Sequence, residues 1–121
     1  MSYRREQIES TILRAVRQVL ARGLADPRAG GMITVTAVEL TGDLKTANVM
    51  ISVYPEAKQD LTMHALHDAA AHIRHEAGEL VALKQMPQVA FKLDLTLKRQ
   101  AEVVRALSKA AADRETRGTG P

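Results

Sequence analysis

The side chains with the most evident chemistry are the four histidines, His64, His67, His72 and His75. His64, Asp68, His72, His75 and Glu79 recur at spacings of four, four, three and four, so on a helix they share one face. Imidazoles and carboxylates in that pattern could ligate a divalent metal or exchange protons. A metal could bridge His72 and His75, but no third ligand follows from the spacing. The face also lies opposite the apolar stripe of Leu66, Ile73, Ala77 and Leu80, which aims it at solvent or a partner and away from a buried pocket. A polar helix face is the simpler account, and no metal is assigned.

Other catalytic constellations are missing. The run from His75 to Glu79 has the opening of a zinc-protease helix but ends in Glu where the second His is required. None of Ser2, Ser10, Ser52 and Ser108 sits in a glycine-flanked nucleophile elbow. There is no Walker loop and no GxGxxG run, and the carboxylates are scattered. With 0 Cys, thiolate nucleophiles, disulfides and cysteine-bound zinc are excluded, and a reducing compartment is expected. The chain is expected to be no enzyme and to need no cofactor.

Charge is more informative than reactive groups. The formal net charge of +3 divides unevenly: residues 1–28 carry +3, residues 29–83 carry −4, and residues 84–109 carry +4. If the first and last of these segments adjoin in the fold, they form a basic surface suited to phosphates. Only Tyr3, Tyr54 and Phe91 are aromatic, which disfavours recognition by stacking bases on rings. The longest apolar run, residues 80–83, is far below the roughly 20 residues of a membrane span. Residues 1–9 show no signal-peptide pattern, so the cytoplasm is the expected location.

Periodicity supplies the elements that must position these groups. At 121 residues a single domain is expected. Ile8, Ile12, Ala15, Val16, Val19 and Leu20 predict a helix over residues 3–22, capped by Ser2 and ended by Gly23, with Arg14, Arg17 and Gln18 on its solvated side. After a turn-rich connector containing Asp26-Pro27-Arg28 and Gly30-Gly31, two alternating segments around Thr41-Gly42-Asp43 predict an antiparallel hairpin. A phase slip places a bulge near Ala37 or Val38, and Pro55 ends the second strand. Asp60 is expected to cap a long helix reaching as far as Leu83 and bending somewhere along its length. Val89, Phe91, Leu93 and Leu95 predict a third strand, and Val103, Val104 and Leu107 a short helix. The segment 113–121 is expected to be disordered. The fold class is therefore α+β, a three-stranded sheet with helices packed on one face.

Particular runs within these elements resemble a known family. An arginine-rich first helix leads to Asp26-Pro27-Arg28, then to the run from Thr34 to Ala47; Ala69-Ala70-Ala71-His72-Ile73-Arg74 and the run from Pro87 to Asp94 follow in order. Over about residues 3–108 the chain is similar to the ribosome-binding factor A family of bacterial small-subunit assembly factors. The resemblance implies a single KH-like domain, with the helix-strand-strand-helix-strand order read above, over residues 1–110, and a flexible tail over 111–121. It also implies that the GxxG loop of other KH domains is absent, as it is here. Where the family has an Ala-x-Gly kink in the long helix, this chain has Ala69-Ala70-Ala71.

The function implied is that of a monomeric, non-catalytic, cofactor-free protein. It would bind small-subunit ribosomal RNA in precursor particles and assist late maturation, including processing at the RNA's 5′ end. Phosphate contacts are then expected from Arg4, Arg5, Arg28, Lys45, Arg74, Lys84, Lys92, Lys98 and Arg99. Two of these have structural alternatives: Arg28 can pair with Asp26, and the Arg74 stem can cover the core. The competing function is a protein-interaction module of the same fold that does not act on RNA.

Overall fold

The computed structural model describes residues 2–118 of the chain. The elements are α1 (Ser2–Ala21), β1 (Met32–Leu40), β2 (Thr46–Tyr54), α2 (Gln59–Leu80, entered through a 3-10 turn at Glu56–Lys58), β3 (Gln88–Leu93) and α3 (Thr96–Gly118). The architecture is α+β, as the periodicity predicts. The sheet order is β1-β2-β3.

The sheet forms because its branched residues alternate, and one face is buried by α1 and α2. Ile12, Ala15, Val16 and Val19 of α1 meet Val35, Val38 and Leu40 of β1, while Leu66, Ile73 and Ala77 of α2 cover Val49, Ile51 and Phe91. β1 and β2 pair antiparallel with a register shift between Val35 and Ala37, so Thr36 is the extra residue and the bulge lies one position earlier than expected. The slip is what allows both Val35 and Val38 to face the core. β3 pairs with β2 in parallel, from Thr46 opposite Gln88 to Ile51 opposite Leu93. A parallel partner requires a crossover, and α2 provides it.

Several boundaries differ from the sequence reading. α1 begins at Ser2, whose side chain lies outside the described residues, and closes as expected on Gly23 with φ +85°. The N-cap of α2 is Lys58, without a side-chain bond, and Asp60 lies inside the first turn. There its carboxylate favours the positive end of the helix dipole without capping it. α2 stops at Leu80 because Val81 is extended, and β3 stops at Leu93.

The largest difference is at the end of the chain. The expected short helix and disordered stretch are one helix, α3, continuous to Gly118; residues 119–121 lie outside the described residues. Alanine, leucine, arginine and glutamate in this segment favour helix locally. α3 nevertheless joins no helix layer: every described side chain on it is exposed, Val103, Val104 and Leu107 included. Among the described side chains, those of α1 and α2 cover the buried face of the sheet. Among the described residues no helix is long and apolar enough to cross a membrane.

Candidate nucleic-acid interface

The topology brings three distant segments to one end of the sheet. The first turn of α1, the β1–β2 hairpin and the α2–β3 connection enclose a cleft of about 500 Å³. Arg4, Lys45, Arg74 and Lys84 line it, together with Leu44, Met86, Gln88 and one carboxylate, Asp43. The backbone amide of Gln88 donates to the Lys45 carbonyl at 2.8 Å, which ties the hairpin to the start of β3. Arg4, Lys45 and Lys84 are exposed, and none forms an ion pair with a described side chain. Their charge is therefore available to an anion.

Arg74 is different. Its guanidinium donates to the carbonyls of Pro87 at 2.9 Å and Met86 at 2.6 Å, so it pins the α2–β3 connection as well as lining the cleft. The hairpin turn is equally fixed. Asp43 accepts from the Thr41 hydroxyl at 2.6 Å and the Lys45 amide at 3.0 Å. Those bonds hold its carboxyl below the usual range and keep it charged.

The other expected contacts do not converge here. Arg5 reaches the Leu40 carbonyl while Glu9 accepts the Leu40 amide at 2.7 Å, so the pair closes the last residue of edge strand β1. Arg17, expected on a solvated face, donates twice to Val35 at the bulge, at 2.8 and 3.1 Å. Arg28 lies at the opposite end of the sheet between Asp26 at 2.6 Å and Asp68 at 2.7 Å. The Asp26 and Asp68 hydrogen bonds raise its already high pKa further. Lys92 projects from β3 on the face opposite buried Phe91. Arg99 is exposed on α3, and the side chain of Lys98 lies outside the described residues.

Two histidines of the helix pair with carboxylates one turn on. His72 meets Glu76 at 3.0 Å, His75 meets Glu79 at 3.2 Å, and His67 Nε2 lies 2.9 Å from the Phe91 carbonyl on the outer edge of β3. Among the described residues no group of three metal-ligating side chains converges. Sequence reasoning missed the apolar lining of the cleft, Leu44 above all. That residue carries a positive φ of 62°, which nothing in its side-chain type signals.

The family model for ribosome-binding factor A matches residues 4–107. A ribosome-binding factor A from Synechococcus sp. is 40% identical over 115 residues, covering 93% of this chain and 83% of that protein. The crystal structure of ribosome-binding factor A from Thermus thermophilus superposes with a TM-score of 0.61 at 24% identity, covering 74% of this chain and 94% of that one. A Thermus thermophilus homology model fitted into a cryo-EM map of a complex with the 30S subunit is similar at a TM-score of 0.55 and 21% identity, covering 76% of this chain and 92% of that one. At those identities the two structures speak to the fold alone.

Proposed function

The chain belongs to the ribosome-binding factor A family, and from that premise we propose that it binds the small ribosomal subunit through the cationic cleft. The observation that carries this reading is the convergence of Arg4, Lys45 and Lys84, remote in sequence and without carboxylate partners among the described residues, around Arg74. Phosphate contacts from these cations position the protein on ribosomal RNA, and the shape of the RNA supplies selectivity. The RNA-binding unit lies within residues 1–110. A Thermus relative is named for its complex with the 30S subunit, and the same partner suits this surface.

The action is non-catalytic. A protein without reacting groups promotes assembly only by binding one RNA conformation more tightly than another. The precursor particle and its late maturation, including events at the RNA's 5′ end, are the setting in which such a preference matters. The protein works as a cytoplasmic monomer without cofactor.

Sedimentation of the intact chain with small subunits, precursor particles and assembled ribosomes is the test. Co-migration with precursors and free small subunits, abolished by ribonuclease, is the expected result. A complex that survives ribonuclease supports the protein-interaction alternative instead, and no association with any particle contradicts both.

A further inference from the structure

Phosphate binding alone requires a patch, yet the cationic end of the sheet is concave. Its volume of about 500 Å³ falls within the roughly 300–1,000 Å³ of small-ligand pockets. Its lining is in part aliphatic: Leu44, Leu83, Met86 and Pro87 share it with Arg4, Lys45 and Lys84 and with the Asp43 carboxylate that the turn holds. The amides of Gln85 and Gln88 stand at the same cleft, each able to donate and to accept.

Leu44 adds an independent observation. A branched apolar residue is disfavoured in left-handed backbone, yet φ is +62° here and the residue is 46% exposed. The turn enforces this conformation: the Leu44 amide donates to the Thr41 carbonyl at 2.9 Å, and Asp43 holds the Lys45 amide at 3.0 Å. Leu44 is no member of the hydrophobic core, so the strained turn presents an apolar surface to the cleft without a packing return.

We propose that the cleft receives one unpaired nucleotide of the RNA, its base against the aliphatic side chains of the lining and its flanking phosphates on Arg4, Lys45 and Lys84. The inference rests on the RNA-binding reading and deepens it. A paired base is stacked on both sides and offers only its edge and backbone, so it cannot enter a pocket of this shape. An unstacked base has two apolar faces. Among the described side chains none that lines the cleft is aromatic, so their contact with the base is aliphatic and tolerant of base identity.

The experiment uses the full chain and two synthetic RNA duplexes of equal phosphate number, one fully paired and one with a single bulged 2-aminopurine. Anisotropy should show the bulged duplex binding about fivefold more tightly, with a change in 2-aminopurine emission. Leu44→Asn suits the left-handed backbone and removes the apolar surface. It should bring the bulged duplex to the affinity of the paired one while leaving the latter within about twofold. Equal wild-type affinities for the two duplexes overturn the proposal, as does a preference that L44N leaves intact; in both cases RNA binding itself stands. Failure to bind either duplex at low salt removes the RNA reading and this inference together.

Discussion

Where β1 begins, Arg28 sits between Asp26 and Asp68, and Thr62 grips Gly30 from both sides, donating to its carbonyl at 3.0 Å and accepting its amide at 3.2 Å. Where β1 ends, Arg4, Lys45 and Lys84 surround a cleft with no ion pair to any described carboxylate. Cations at the two ends look equivalent in the sequence. At the first end the charge is used to fasten a loop to α2; at the second the backbone is already fixed by Asp43 and Arg74, and the charge remains outward. A cation's partners, and not its presence, separate structure from recognition.

Substitutions at the first end should therefore reduce stability and spare binding. The largest effect is expected at Gly31, which has φ +74° and where a Cβ would collide with the Tyr54 carbonyl oxygen. Gly31→Ala should lose about 3 kcal/mol or more in denaturant unfolding, from strain and clash together. At the cleft the pattern should invert. Replacing Arg4, Lys45 and Lys84 together by Gln should weaken ribosomal RNA binding about 100-fold at 0.15 M salt. The thermal midpoint should stay within a few degrees, because the three side chains are exposed. If the triple variant unfolds instead, the contrast between the ends fails.

Thr62→Val should cost about 1–3 kcal/mol, since it leaves both polar groups of half-buried Gly30 without the buried hydroxyl that pairs them, with RNA affinity unchanged. A weaker effect is expected from acid. Asp43 is held below its ordinary value of 3.8 by Thr41 and the Lys45 amide, Asp94 by Thr36 and Thr96, and Asp26 by Arg28. Folded values below the unfolded ones give stability that is complete above the unfolded value and is lost as pH falls through the folded ones. Thermal midpoints should thus be flat between about pH 7 and 5 and decline below about pH 4, with D43N and D94N shallower in that decline. The smallest effect should follow truncation after Thr96, which keeps the Thr96–Asp94 bond: no described side chain of α3 joins the core, so the midpoint of the remaining body should stay within a few degrees.

Local periods made much of this fold legible. The α1 stripe from Ile12 to Val19 and the alternation around Val49 and Phe91 are set by which side of an element faces the core, and that repeats within a few residues. The parallel pairing of β3 was not legible, since alternation is the same whichever way a half-buried strand runs. Nor was the extent of α3, because the segment's helix propensity continues past its apolar stripe.

The site divides in the same way. Arg4, Lys45, Arg74 and Lys84 were identifiable as cations, but their convergence depends on the crossover through α2. The Asp26 partner of Arg28 is legible two positions away, whereas Asp68 and the Leu40 carbonyl that Arg5 reaches lie 40 and 35 positions away and are brought close only by the fold. For Leu44 the deciding fact is a backbone angle, which the hairpin imposes and the residue type would argue against.

The salt dependence of RNA binding distinguishes the two ends most directly. With log affinity plotted against log salt for the intact chain, the Arg4/Lys45/Lys84→Gln variant should lose about 2–3 units of slope, from three fewer phosphate contacts. Arg28→Gln should leave the slope of the wild type. Equal slopes for the wild type and the triple variant, or a slope lost on removing Arg28, would contradict the assignment of the cleft as the RNA-binding surface.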